Sequence, residues 1–322
     1  MRTYLWYSIV GASLGAIGLT YITYYNNRRK RSLQPPKNAK WQLIETVEEI
    51  AIYPVKSGAA LLLQQVQCKF DGFHLDDLKD RCLVLCDESG HFIYAGTYPK
   101  MLSINTEVGP NNALVIKAPG LETLNLNLDE LKKKQITVKY IKANKFHLVE
   151  CEPEHHKWFS KAILNKSVGL KLFLNINGES KYNLDKTIFI PVMVMHNKSV
   201  TDLNQRLTTK NHVHHLQFRG NVLINSLNNI KSYAEDNWKW LRFGEGNVGE
   251  NCILRYEAPC LRCILTNIDI NTCKRNPSFE PLKTLKEYRL IHDCKEPTLG
   301  AYYKVYQEGN FKIKDPVYAI IS

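Results

Sequence analysis

Two cysteines three positions apart, Cys260 and Cys263, carry the most reactive side chains that this sequence places close together. A structural zinc site needs four ligands, usually from a second paired motif, and the chain has no second Cys-x-x-Cys. A dithiol redox pair should open a helix, which lowers the thiol pKa, whereas residues 264–268 (ILTNI) form a strand-like run. One thiolate bound to a soft transition metal that a cofactor mainly holds is a third interpretation. The fourth is that both thiols are buried and pack as small hydrophobic groups.

Lysine, hydroxyl and arginine side chains at the ends of apolar runs suggest a site for an anion. Lys56 and Ser57 follow an apolar run, and Gly58 allows the chain to turn sharply. Such a loop suits a phosphate, but the same residues are also typical of a simple turn that ends a strand. The spaced glycines of a Walker loop are missing. Arg81 and Arg219 adjoin apolar runs, so each needs either an internal carboxylate or a ligand phosphate. A serine hydrolase is not supported, because no Gly-x-Ser-x-Gly occurs.

The elements that must position these side chains are predicted to be mainly strands, with a few helices, which is an α+β fold class. Alternating or β-branched runs predict strands at 82–86, 124–128, 136–141, 221–225, 253–256, 264–268 and 317–321. Helical patterns occur at 230–241 and 281–290, and a third helix is predicted from Ser199, where the sequence SVTD resembles a capping box. A polar run at 175–186 predicts the boundary between two β-rich halves.

The N-terminal 27 residues read as a transmembrane signal anchor. Residues 3–27 carry no charge, and about 20 helical residues suffice to cross a bilayer. The basic cluster at 28–31 follows the apolar stretch, which argues against a cleaved secretory signal and places that side in the cytosol. We therefore expect a basic flank and tether at 28–44, and a mitochondrial outer membrane protein whose body faces the cytosol. The endoplasmic reticulum membrane is the alternative.

Composition limits the remaining classes of protein. The length of 322 residues suits about two domains, and 44% hydrophobic with 23% charged residues excludes wholesale disorder. Nine cysteines are an odd number in a long chain, which favours reduced thiols. The net charge is +12, of which the first 36 residues contribute five basic and no acidic side chains. The rest of the surplus is interspersed, so it suits an anionic ligand or an acidic partner, and no nucleic acid is expected.

Six motifs, in their order along the chain, resemble the MOSC-domain family, and in particular its amidoxime-reducing members. They are YPVKS at 53–57, DR at 80–81, FRGN at 218–221, CLRCILT at 260–266, PLKTLKEYR at 281–289 and KDPVY at 314–318. The resemblance covers nearly the whole chain and implies an N-terminal β-rich domain at 45–178 and a MOSC β-barrel domain at 179–322. The chain departs from the family pattern at Gly96-Thr97, where relatives often have Arg-Gln, and at 188–191, which are apolar.

The resemblance also implies a molybdenum–pyranopterin cofactor between the two domains. Cys263 would be the catalytic residue and the protein ligand to the metal, with Cys260 a neighbour that makes no metal bond. The positions that would hold the pterin and its phosphate are Lys56, Ser57, Arg81, Arg219 and Asn221, with Tyr302 as a further cofactor-side residue.

The implied reaction is reduction of small N-hydroxylated compounds (amidoximes, hydroxylamines and N-oxides), without pyridoxal phosphate. Electrons would come from NADH through a flavoprotein reductase and a b-type cytochrome. Two other hypotheses stay open at this point. One is a non-catalytic MOSC protein that carries or delivers molybdenum cofactor or sulfur, and the other is an inactive membrane-tethered scaffold.

Overall fold

The computed structural model describes residues 34–36, 38, 40–110, 113–141, 144–178, 192–207, 212–225, 227, 230–246, 248–291 and 294–321. Residues 42–322 form one compact unit. The predicted anchor at 3–27, the basic cluster at 28–31 and part of the tether lie outside the described residues. Within the part of the chain that is described, no helix is long and apolar enough to cross a membrane.

Nineteen strands and four α-helices make up the described secondary structure. The strands are β1 (Gln42–Ile52), β2 (Leu61–Leu63), β3 (Gln65–Lys69), β4 (Gly72–Leu75), β5 (Leu78–Lys79), β6 (Leu83–Asp87), β7 (Asn105–Val108), β8 (Leu114–Lys117), β9 (Leu124–Leu126), β10 (Thr137–Ile141), β11 (Asn144–Glu150), β12 (Leu170–Gly178), β13 (Val192–His196), β14 (Val222–Ile224), β15 (Trp238–Phe243), β16 (Cys252–Leu261), β17 (Thr298–Gln307), β18 (Gly309–Lys312) and β19 (Pro316–Ile321). The helices are α1 (Leu128–Lys132), α2 (Pro153–Leu164), α3 (Asn197–Arg206) and α4 (Leu282–Tyr288). The fold is therefore mainly β.

Seven strands form a closed barrel in the order β14-β13-β17-β16-β15-β19-β1, and pairing of β1 with β14 completes the ring. All neighbours in the ring are antiparallel except β13 and β14. β2 extends the same sheet beyond β1. β1, the first strand among the described residues, thus closes a barrel whose other six strands come from the C-terminal half, and ring closure leaves no open edge among them.

Three smaller sheets surround the barrel. They are β10-β11-β12-β6, β18-β3-β4-β5 and β7-β8-β9. Phe311 in β18 stacks on Phe243 of the barrel with 4.4 Å between ring centroids. Leu83 and Leu85 in β6 are almost fully buried in the main hydrophobic core. Since Arg81 lies two residues before β6, this packing fixes the backbone next to one of the predicted site residues.

The strand predictions at 82–86, 124–128, 136–141, 221–225, 253–256 and 317–321 are confirmed by strands that overlap them, as is the helix at 281–290. The strand prediction at 264–268 is wrong, because Ile264–Asn267 is a 3₁₀ helix. Its first turn closes locally, where the Thr266 backbone N–H and hydroxyl both donate to the Cys263 carbonyl. A strand after Cys263 was the argument against a dithiol redox pair at Cys260 and Cys263, and the 3₁₀ helix removes that argument.

The helix prediction at 230–241 is also wrong. Ala234–Asn237 is a 3₁₀ helix and β15 follows it directly. Pairing of β15 on both sides, with β16 and β19, outweighs the local helical pattern. The helix expected from Ser199 exists as α3 but begins at Asn197, and the Ser199 hydroxyl donates to Glu235 instead of capping the helix.

Candidate active site

A cleft of about 520 Å³ brings together four of the seven predicted site residues. Arg81, Arg219, Cys263 and Tyr302 line it, and Cys260 contributes to the same wall. These side chains come from the start of β6, the loop before β14, the end of β16 and the middle of β17. The cleft therefore combines a thiol with two guanidinium groups, which is the arrangement that a soft metal in an anionic cofactor requires.

The two cysteines of the motif occupy different environments. Cys263 is exposed, whereas Cys260 is buried. Between them Arg262 is 5% exposed, and its guanidinium donates to the carbonyl oxygens of Leu299 and Phe218 at 2.8 and 2.7 Å. Arg262 thus fixes the loop that presents the Cys263 thiol to the cleft. The sequence analysis did not single out Arg262, although a charged residue inside a Cys-x-x-Cys was a visible signal.

The two cleft arginines differ in their partners. Arg81 forms an ion pair with buried Asp80. Burial alone would lower the pKa of Arg81, but the charge of Asp80, together with Tyr53 and other neighbours, raises it. Arg219 forms no ion pair with any described carboxylate; its Nη1 donates to the Gly58 carbonyl at 2.6 Å, and its buried Nη2 has no hydrogen-bond partner. The sequence left two possible partners for each arginine, an internal carboxylate or an external anion. Arg81 has the internal carboxylate, and Arg219 is suited to bind an external anion.

Burial, together with the charge of neighbouring Arg81, lowers the pKa of Arg219 to about 10. The guanidinium lies over the ring of Tyr53, with its Cζ 4.0 Å from the ring centroid. Arg81 approaches the same ring at 5.3 Å. Both arginines have left-handed backbone conformations, with φ of 56° and 57°. Non-glycine residues rarely adopt that conformation, and such outliers cluster at ligand sites.

Asp80 is the centre of a buried hydrogen-bond network that supports both arginines. Its carboxylate accepts from the Tyr53 backbone N–H at 2.7 Å and from Asn221 Nδ2 at 2.9 Å, as well as from Arg81. Asn221 also donates to the Ala51 carbonyl and accepts from the Met193 N–H. Asn221 is 1% exposed and does not line the cleft, so the structure shows it joining β1, β13 and β14. Asp80 and Tyr53 were in the quoted motifs, but neither was predicted to have a role.

Like Asn221, the predicted site residues Lys56 and Ser57 do not line this cleft. The Lys56 ammonium lies 4.6 Å from the centroid of the Phe92 ring. Ser57 is 6% exposed and has a left-handed backbone (φ 70°). Both residues precede Gly58, whose carbonyl accepts from Arg219. Their loop thus reaches the site through this backbone contact, and a direct role for either side chain stays a prediction.

A second cleft of about 890 Å³ also has Arg219 in its lining. Tyr53 and Gly58 line it too, together with apolar side chains such as Leu102 and Leu216. Arg219 therefore lines both clefts, and Cys263 lines only the first.

Tyr302 and Cys260 form a hydrogen-bonded pair in the wall of the cleft. The negative charge that Cys260 would carry, together with burial, raises the pKa of Tyr302 well above its ordinary value. Tyr302 is therefore a neutral phenol at physiological pH. Its position in β17, opposite Ala258 of β16 and Met193 of β13, holds it in the barrel wall.

Among the described residues, no group of three or more His, Cys, Asp or Glu side chains could hold a metal ion. Of the two thiols in the cleft, Cys263 is the exposed one, so it is the candidate ligand to a metal that a cofactor mainly holds. The unpartnered Nη2 of Arg219 and the exposed thiol of Cys263 fit such a group, because one is a free donor for an anion and the other a soft ligand.

These observations define a class of protein by its fold and its site. The fold is a closed, mainly β barrel, and the site has one exposed thiol beside two arginines. The family described as MOSC N-terminal beta barrel domain matches residues 44–166, and the MOSC domain matches residues 187–318. The chain belongs to the MOSC-domain family.

Relatives with known names cover almost the whole chain at low identity. The chain is 26% identical over 333 residues to mitochondrial amidoxime reducing component 2 of Homo sapiens, covering 98% of this chain and 94% of that protein. It is 28% identical over 319 residues to component 2 of Bos taurus, covering 91% and 88%. It is 27% identical over 346 residues to mitochondrial amidoxime-reducing component 1 of Homo sapiens, covering 98% and 93%.

Proposed function

We propose that this protein is a molybdenum-cofactor-dependent reductase of N-hydroxylated compounds such as amidoximes, hydroxylamines and N-oxides. The observation that carries the proposal is the pairing, in one cleft, of the exposed Cys263 thiol with Arg219, whose buried Nη2 has no partner. Membership of the MOSC-domain family and the names of the relatives support the chemistry.

The cofactor would supply a two-electron metal centre able to take an oxygen atom from the substrate, and the protein's residues hold it at both ends. The Cys263 thiolate is the soft donor at the metal end. Arg219 donates through Nη2 to the anionic part of the cofactor, and Arg81 adds a second positive charge. Lys56 and Ser57 extend this anion site from their loop, as the family resemblance implies.

Other residues, which do not touch the substrate, hold the cofactor-binding side chains in position. Asp80 and Asn221 fix Arg81 and the strand ends around it, and Arg262 fixes the cysteine loop. Tyr302, a neutral phenol hydrogen-bonded to Cys260, presents a polar group to the cleft without adding charge. Water has room at the open side of the cleft, which suits a reaction that consumes two protons and releases water.

Electrons would come from NADH through a flavoprotein reductase and a b-type cytochrome. The mitochondrial names of the relatives support a mitochondrial location. We further propose that residues 3–27 anchor the chain in the outer membrane, with the body facing the cytosol. The domain division at residues 178 and 179 likewise stays a prediction.

Reconstitution tests the proposal directly. The purified full-length protein, with bound molybdenum measured by mass spectrometry, is combined with NADH, the flavoprotein reductase, the cytochrome and benzamidoxime. Formation of benzamidine that requires every component supports a reductase. Bound molybdenum without turnover would favour the carrier hypothesis, and absence of molybdenum from the folded protein would contradict both.

A further inference from the structure

We propose that Tyr94, Gly96 and Ile264 form an apolar rim beside Cys263 that selects N-hydroxylated substrates with an apolar or aromatic body. The inference rests on the proposed function, since it assigns the substrate class of the same cleft. It concerns side chains next to Cys263 along the chain or in space, which none of the proposed cofactor contacts uses.

Apolar side chains are exposed on both sides of the candidate metal ligand. Ile264 follows Cys263 directly and is 38% exposed, and Leu261 is 49% exposed. A third apolar surface is the ring of Tyr94, which is 47% exposed. Apolar groups that cluster at the edge of a cleft, rather than singly on the surface, are typical of ligand sites.

Gly96 allows Tyr94 and Ile264 to meet at this edge. A Cβ atom built on Gly96 would lie 2.4 Å from Cε2 and 2.8 Å from Cδ2 of the Tyr94 ring, and 3.6 Å from Cγ2 of Ile264. The tyrosine ring therefore folds over the Gly96 backbone, in space that any other residue would fill. Only glycine at this position lets the ring lie beside the segment that carries Cys263.

A hydrogen bond ties the Tyr94–Gly96 turn to the cysteine segment. Arg275 Nη2 donates to the Gly96 carbonyl, and Arg275 itself pairs with Ile268, one residue beyond the 3₁₀ helix that follows Cys263. The turn and the helix are thus parts of one surface.

The size and chemistry of the rim favour a small molecule. Three apolar side chains fall far short of the roughly 800 Å² per partner that a standard protein interface buries. Benzamidoxime carries a phenyl ring that can contact Tyr94 and Ile264, whereas acetamidoxime carries only a methyl group.

The test measures binding and turnover of benzamidoxime and acetamidoxime by the full-length holoenzyme. In Ile264→Thr and Tyr94→Ser we expect the dissociation constant and KM of benzamidoxime to rise about five- to tenfold, the scale of one lost apolar contact in a pocket. Values for acetamidoxime should stay within about twofold of wild type. Gly96→Ala should reproduce the Tyr94→Ser effect, because its Cβ displaces the ring. Ile136→Thr is the matched control, since Ile136 is 49% exposed and lines neither cleft.

Three outcomes would overturn the inference. Equal losses for both substrates would mean that the rim supports the cysteine loop and not the substrate. An unchanged KM for benzamidoxime with a raised KM for the cytochrome would make the rim a docking site for the electron donor. Unchanged constants in all three variants would exclude any role. Calorimetric binding to wild type separates these results from failure of the proposed function, which would show as binding of both compounds without turnover.

Discussion

Replacing Arg219 with methionine should stabilise the cofactor-free protein and weaken its hold on the cofactor, two effects of opposite sign. Methionine has a similar length but cannot carry the charge that burial and Arg81 make unfavourable. The pKa of Arg219 falls from 12.5 to about 10. At about 1.4 kcal/mol per pH unit, this pKa shift means that the folded protein disfavours the charged form of the side chain by at most about 3 kcal/mol.

Two favourable contacts of Arg219 offset part of that gain. The hydrogen bond to the Gly58 carbonyl and the stacking on Tyr53 are each worth about 1 kcal/mol. We therefore expect Arg219→Met to raise the free energy of unfolding of the cofactor-free protein by about 1 kcal/mol. Cofactor affinity should fall about 10- to 100-fold, since a hydrogen bond to a charged group is worth about 1.5–3 kcal/mol.

The free energy of unfolding is measured by urea titration of protein expressed in cells that do not make molybdenum cofactor. The hold on the cofactor is measured as molybdenum per folded protein, by mass spectrometry after expression with the cofactor. Arg289→Met is the matched control, because Arg289 is a buried arginine whose Nη2 lies 2.7 Å from Asp236. The control should destabilise by about 3–5 kcal/mol, since it leaves a buried charge unpaired. A destabilised Arg219→Met with unchanged molybdenum content would refute the reasoning.

Three other predictions follow from the site and the fold. Cys263→Ser should abolish benzamidoxime reduction, because a hard and mostly protonated oxygen replaces a soft thiolate, while Cys260→Ser keeps much of the activity; equal losses would point to a zinc site or a dithiol pair. Burial, together with the charge of Asp236, raises the pKa of Glu235 from 4.5 to about 7, so the free energy of unfolding should fall by about 3 kcal/mol as the pH rises from about 4.5 to 7. Glu235→Gln should flatten that pH profile, and an unchanged slope in urea titrations would contradict the assignment. Removing residues 1–36 should leave a soluble protein with full molybdenum content, and aggregation of the truncated form would show that this segment belongs to the fold.

The strand pattern and the cysteine motif could be predicted because their signals are local. Alternating and β-branched runs predicted β6, β10, β14 and β19, since such side chains fit a pleated surface wherever it forms. The two wrong predictions, at 230–241 and 264–268, concern short segments whose state depends on neighbours. β15 is a strand because it lies between β16 and β19, and residues 264–267 are helical because Thr266 bonds back to Cys263.

Sequence alone determined the class of protein and the candidate thiol, because the order of the motifs and the type of each side chain are properties of the chain. It could not determine that the buried Nη2 of Arg219 has no partner, since that depends on where the fold places Gly58, Tyr53 and the carboxylates. Nor could it distinguish the exposed Cys263 from the buried Cys260. Only the tertiary structure decides these points, because burial and pairing are set by contacts between segments far apart in sequence. Closure of the barrel by β1 against β14 is the clearest of them.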